Sequence, residues 1–452
     1  MAGIFKAYDV RGVYPEDLDE DLARSIGIAF QHVLDDTDRA HGNTVIVGRD
    51  MRASSASLSE ALIDGLTTTG LDVLDIGLAT TPMNYFAVGH LEAAGGIQVT
   101  ASHNPGRYNG LKFSRHAARP VSGDSGIELM ESSIAAGDLP RAEKRGTHRR
   151  TDIFQTYGEH VLSHLRRPAD ARPLKVAVDA ANGMGTIYRP LLERLGIDLV
   201  PLYFELDGTF PNHEANPLKL ENLSDLSALV RSSGADLGVC FDGDADRAAF
   251  MDEQGEPVGS DLSTALIAGE ILEREPGAAI IYDLRSSRAV AEYIREHGGE
   301  PVRERVGHSF IKATLRRRNS PFGGELAGHY YFRDNFNADS SLMAVIEILN
   351  LLWKSGQSMS ELASRLGRYS KSPEVNFEVA DKQAMMDEIR NRYSDGEIDR
   401  LDGITVQYPD WWFNVRPSNT EPYLRLVLEA TTPDALAARL AELQGILGTP
   451  AD

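Results

Sequence analysis

A single cysteine, Cys240, stands among the 452 residues, so the chain can form no internal disulfide. That excludes a disulfide-stapled scaffold and fits a reducing compartment. No apolar run approaches the roughly 20 residues that a membrane span requires. The opening segment carries Lys6, Asp9 and Arg11 and lacks the apolar centre of a secretory leader, so the expected location is the cytoplasm. Positive charge is also scarce: 46 Lys and Arg face 67 Asp and Glu, a net charge of -21. Such a surface repels phosphate backbones and anionic lipids, which argues against nucleic-acid and membrane partners. It still permits a local cationic pocket for small phosphorylated molecules. Low-complexity tracts and long disordered linkers are absent too. What remains is a globular composition, 42% hydrophobic and 25% charged, in a chain too long for one ordinary core.

One pattern recurs three times. Val45-Ile46-Val47-Gly48-Arg49-Asp50 is followed by an apolar stripe at Leu58, Leu62 and Leu66, then Gly70 and a second extended run. Val176 to Asp179 leads in the same way through Leu191, Leu192 and Leu195 to Gly196, and Ile280 to Asp283 leads through Val290, Tyr293 and Ile294 to Gly298. Each unit reads as strand, helix, glycine stop, strand, which predicts three related α/β domains. The last stretch differs, with a polar helix near 381–393, extended runs at 404–408 and 423–428, and a closing helix near 433–447. It predicts a smaller α+β domain. Expected bounds are 1–146, 147–251, 252–368 and 369–452, with a hinge near Leu366 to Pro373.

Two segments carry the chemistry. Asp242-Gly243-Asp244-Ala245-Asp246-Arg247 places carboxylates at alternate positions after the apolar run Leu237 to Phe241, at the carboxyl end of a buried strand. A complete calcium hand does not fit, because position 12 would be Glu253 and no flanking helix pattern follows. All-oxygen ligands without His or Cys favour magnesium. Thr100-Ala101-Ser102-His103-Asn104-Pro105 follows another strand-like stretch, and Pro105 bars a helix, so Ser102 is expected on an exposed loop. A free serine hydroxyl needs a base or a metal to react. His103 is adjacent, but no Gly-x-Ser-x-Gly elbow surrounds the serine. Each segment also has a bland reading, Ser102 as an ordinary loop residue and the acidic loop as a solvated turn; together they point to phosphoryl transfer.

Two further loops are polar. Gly324-Glu325-Leu326-Ala327-Gly328-His329 is bracketed by glycines, so Glu325 and His329 can approach a polyhydroxylated ligand. Arg416-Pro417-Ser418-Asn419-Thr420 gathers a guanidinium, hydroxyls and an amide, with no acid before Glu421, a donor set suited to a phosphate dianion.

These four segments, in this order and spacing, resemble the signature loops of the α-D-phosphohexomutase superfamily, and most of all its phosphomannomutase/phosphoglucomutase branch. The resemblance spans nearly the whole chain, including Lys6 to Gly12 and Phe210-Pro211-Asn212-His213. It implies interconversion of hexose 1-phosphate and hexose 6-phosphate, of mannose or glucose. Phosphorylated Ser102 would be held on Mg2+ by Asp242, Asp244 and Asp246, and a hexose 1,6-bisphosphate would form as intermediate and activator. It further implies that Lys112 and Arg247 offset charge, that Tyr8, Arg11 and His103 belong to the catalytic set around the serine loop, and that His308, Asp283 and Arg285 lie near the sugar. Either Lys112 or His308 would take the hydroxyl proton. Glu325, Ala327 and His329 would read the sugar, and Arg416, Ser418, Asn419 and Thr420 would hold the phosphate that is not being transferred. Ala327 stands where the bacterial branch usually has Ser, removing one hydroxyl contact. Alternatives are a phosphoglucosamine mutase, whose loop usually has Gln at the place of Leu326, a metal-dependent sugar phosphatase, and a non-enzymatic phosphosugar-binding protein. Oligomeric state is not legible.

Overall fold

The computed structural model describes residues 3–418 and 423–451. Three sheets share one strand order. In the first, Asp72–Leu78, Thr44–Arg49 and Gly95–Val99 run parallel and Tyr108–Arg115 runs antiparallel at their side. Asp198–Leu202, Lys175–Asp179, Leu237–Phe241 and Ala248–Met251 repeat that arrangement in the second sheet. Glu300–Glu304, Ala279–Asp283, Phe322–Gly324 and Tyr330–Phe332 repeat it in the third. The three expected helices join the first two strands of each unit at Ser55–Thr68, Arg189–Arg194 and Arg288–Glu296. After each helix the chain turns on a left-handed glycine, Gly70, Gly196 or Gly298, with φ of 85°, 73° and 75°. Side chains at those positions would meet steric strain, which is why the pattern is visible in the sequence.

The fourth sheet is antiparallel, with Trp411–Pro417 and Tyr423–Ala430 at its centre and the helices Lys382–Arg392 and Pro433–Leu447 accompanying it. Its core, which includes Phe377, Trp411, Phe413, Leu426 and Leu443, is separate from the others. The main apolar core instead runs through the first three units. Phe86, on the helix Thr81–His90, packs edge-on against Tyr157, whose hydroxyl lies 3.2 Å from Ser340 Oγ at the start of the helix Ser341–Ser355. Burial of this shared core holds the carboxyl ends of the three sheets toward one another.

Two short strands lie just past the expected bounds. The strand His148–Arg150 pairs with Asp72–Leu78 and so extends the first sheet beyond residue 146. Pro257–Val258 pairs with Ala248–Met251 and extends the second beyond 251. Both are edge strands, and all three side chains of His148–Arg150 are exposed. Their composition reports solvent, and hides the pairing. Among the described residues no helix is long and apolar enough to cross a membrane.

Candidate active site

The buried strand Leu237–Phe241 delivers Asp242, Asp244 and Asp246 to one point, their carboxylate oxygens within 4.8 Å of each other and all three residues buried. Asp242 Oδ1 accepts hydrogen bonds from the backbone N-H of Asp246 and Arg247, each at 3.1 Å, which curls the loop around its first carboxylate. Lys112 Nζ donates to Asp244 at 2.7 Å and Asp246 at 2.5 Å, and Thr81 Oγ1 donates to Asp244 at 2.5 Å. Yet Asp244 Oδ1 is buried and accepts no hydrogen bond, and Asp246 Oδ1 has only His329 Nε2 near it, at 3.3 Å. Buried carboxylate oxygens without donors cost free energy unless a cation meets them, so the donor set fits a hard divalent ion.

Burial, then the Asp246 and Asp244 charges, push the Asp242 carboxyl well above its ordinary range. Burial also opposes ionisation of Asp246, but Lys112 and His329 outweigh it and hold that carboxyl well below the ordinary value. Lys112 is desolvated, yet Asp244 and Asp246 keep its ammonium strongly protonated.

Ser102 Oγ donates to Asp242 Oδ2 at 2.8 Å and lies 3.3 Å from His103 Nδ1. The expected exposed loop is in fact packed: Ser102 is 1% exposed and sits at φ 50°, a left-handed conformation uncommon for a residue with a side chain. Arg52 explains the burial. Its guanidinium, paired with Asp50, donates to the carbonyls of Ser102, Asn104, Pro105 and Tyr108 at 2.6 to 2.9 Å. Arg11 ties the same loop through Asn104 Oδ1 at 2.6 Å. Tyr8 meets the His308 ring edge-on at a centroid distance of 5.0 Å, bringing the first and third units together. Burial, followed by neighbouring cations, holds both imidazoles well below the ordinary value: Arg247 beside His103, Lys312 beside His308. Both are neutral bases at pH 7.

The third unit brings His329 to the acidic loop. Arg247 and His329 form an antiparallel bridge, and the His329 ring stands between Asp246, 3.3 Å from Nε2, and Glu325, 3.1 Å from Nδ1. Burial alone would neutralise the ring, but Asp246 in particular lifts its pKa to about 9. Tyr331 donates to Glu325 at 2.7 Å. Ala327 is half-buried on the same loop. Asp283 lies against the same loop. It is fully buried and accepts from Arg285 at 2.7 Å and from the Leu326 N-H at 2.8 Å, so it positions the loop.

From the fourth unit, Arg416 is only 2% exposed and donates to Glu374 at 2.8 Å, an acid far off in sequence that corrects the reading of an acid-free loop. Glu374 also faces Arg285 at 3.5 Å and Arg425 at 3.3 Å. Ser418 is buried, and Asn419 and Thr420 lie outside the described residues. A cleft of about 580 Å³ opens above Ser102, walled by Tyr8, Arg11, Lys112, Arg247, His308, His329 and Arg425. Sequence reasoning missed Arg52, Thr81, Glu374 and Arg425. Only Arg52, two residues beyond an aspartate at a strand end, left a local signal.

A serine hydrogen-bonded to a carboxylate triad, under a cleft lined by cations, is the centre of an enzyme that moves phosphoryl groups. Family models in consecutive order match residues 2–139, 155–255 and 260–369, as phosphoglucomutase/phosphomannomutase alpha/beta/alpha domains I, II and III, and residues 374–443, as the C-terminal domain. The chain belongs to the phosphoglucomutase/phosphomannomutase family. It is 41% identical over 450 residues to a protein named phosphohexose mutases from Xanthomonas campestris pv. campestris, with 98% of each chain covered. A phosphomannomutase from Escherichia coli is 37% identical over 455 residues, again with 98% of each covered. A crystal structure of a phosphoglucomutase/phosphomannomutase family protein from Burkholderia thailandensis superposes with a TM-score of 0.89 at 37% identity, covering 98% of this chain and 96% of that one.

Proposed function

We propose that this enzyme interconverts hexose 1-phosphate and hexose 6-phosphate, of mannose, glucose or both, by passing a phosphoryl group between Ser102 and the sugar. The observation that carries the reading is the 2.8 Å contact between Ser102 Oγ and Asp242 inside a triad whose Asp244 Oδ1 is buried without a donor. A magnesium ion held by Asp242, Asp244, Asp246 and a phosphate oxygen on Ser102 would supply positive charge against the phosphoryl oxygens. Lys112 and Arg247 add fixed cations beside the same point.

With Ser102 phosphorylated, a sugar hydroxyl oxygen bonds to phosphorus as the bond to Ser102 Oγ breaks. The hydroxyl proton passes to a base. His308 suits that role: its ring is neutral and lines the cleft, whereas Lys112 is held protonated between two carboxylates. The product is a hexose 1,6-bisphosphate. It turns end for end, and its other phosphate returns to Ser102. Arg416, with Ser418, Asn419 and Thr420, grips the phosphate not in transit, while Glu325 and His329 meet the sugar hydroxyls. In this role His103, Arg11 and Tyr8 keep the serine loop in place.

A coupled assay of mannose, glucose and glucosamine 1-phosphates, with magnesium and catalytic hexose 1,6-bisphosphate, tests the assignment. Turnover of mannose or glucose 1-phosphate to the 6-phosphate is expected. Release of inorganic phosphate at a comparable rate would make the enzyme a phosphatase.

A further inference from the structure

A second cleft, of about 400 Å³, lies at the seam between the third and fourth units and shares no wall residue with the first. Tyr282, Ser286, Arg288, Arg295 and Arg303 line it from the third unit, Gln407 and Trp412 from the fourth. Tyr282 and Arg303 are paired across neighbouring strands, so they project from the same face of the sheet. In a chain of net charge -21, three guanidinium groups converge here against one carboxylate in the wall, Glu292. That acid is already engaged by the Tyr369 hydroxyl at 2.6 Å and by Arg368 at 3.2 Å.

The donors are unevenly used. Arg303 pairs with Asp399, and the Arg288 guanidinium donates to the carbonyls of Tyr408, Pro409 and Trp411 at 2.6 to 3.1 Å, while its backbone N-H donates to Glu429 at 3.0 Å. Arg295, at the exposed rim, has no ion pair among the described residues. The hydroxyls of Tyr282 and Ser286 have no hydrogen-bond partner among them either, although the two residues are only 8% and 5% exposed. Both residues line the cationic cleft, where their free hydroxyls can donate to a ligand.

We propose that this cleft is a second binding site, for a phosphate monoester, whose phosphate is held by Arg295 and Arg303 with hydroxyl donors from Tyr282 and Ser286, and whose remainder lies toward Gln407 and Trp412. A guanidinium pair with two hydroxyls supplies both the charge and the directional donors that a phosphate dianion takes. Because the walls come from two units, occupancy biases how the fourth unit sits on the third. It thereby acts from outside on the active cleft, which Arg425 of the fourth unit also walls.

The test is equilibrium dialysis with radiolabelled inorganic phosphate on the full-length chain, alongside Arg295→Glu and Arg303→Gln. Two phosphates per parent chain are expected, one of them displaced by hexose 1,6-bisphosphate in the active cleft. Each variant should weaken the other phosphate roughly 10-fold while leaving turnover without added phosphate unchanged. Arg295 is exposed, so its replacement leaves the fold intact even if Arg303→Gln does not. A single phosphate per parent chain, or a second one indifferent to Arg295→Glu, overturns the proposal without touching the mutase assignment.

Discussion

Gly243 and Ser102 meet backbone to backbone: a Cβ on Gly243 would stand 2.3 Å from the Ser102 carbonyl oxygen. Because no side chain fits between the two loops, the serine rests against the carboxylates. Gly243→Ala must push the loops apart, and kcat is expected to fall roughly 100-fold, since displacements near 1 Å have that effect on group transfer. Circular dichroism would show the fold retained. A variant with parental kcat would show that this close approach is dispensable.

Metal dependence follows from three buried carboxylates gathered at one point, with Asp244 Oδ1 left without a donor. Treatment with a chelator should abolish turnover, and magnesium should restore it. Magnesium at 100 times its Kd should also stabilise the protein by about 2.7 kcal/mol, read as a rise in unfolding midpoint. In Asp244→Asn with Asp246→Asn that rise should vanish; persistence of the rise would place the ion elsewhere.

How much of this was legible in the sequence depended on range. The acidic loop, the three repeated units and the glycines ending their helices are set by neighbours a few residues apart, and spacing alone revealed them. The burial of Ser102 was not legible, because it is made by Arg52, 50 residues away, reaching four carbonyls of the serine loop. Glu374 beside Arg416 is likewise a contact between distant residues, 42 positions apart. That Arg285 and the Leu326 N-H both engage the Asp283 carboxylate is also visible only in the fold.

The pH dependence of stability should carry the mark of His160. Burial, then the nearby His164, lower its pKa from 6.5 to about 4, and its ring stacks on Phe86 at 4.8 Å. A base with a depressed folded pKa binds fewer protons folded than unfolded between those values. Stability is therefore lost as pH falls from about 6.5 toward about 4 and is regained on return. With discount for partial solvent access, the loss assigned to this residue is about 1–2 kcal/mol. His160→Gln should flatten the urea midpoint between pH 7 and pH 5 relative to the parent; an unchanged slope would remove His160 from the cause.

The phosphoserine is tested most directly with hexose 1,6-bisphosphate labelled in its phosphoryl groups. Label should appear on the parent at Ser102, located by peptide mapping, and should pass on to unlabelled hexose phosphate. Ser102→Ala should take up none and lose roughly 1,000-fold or more in kcat. Interconversion of the sugar phosphates by Ser102→Ala at the parental rate would contradict the account.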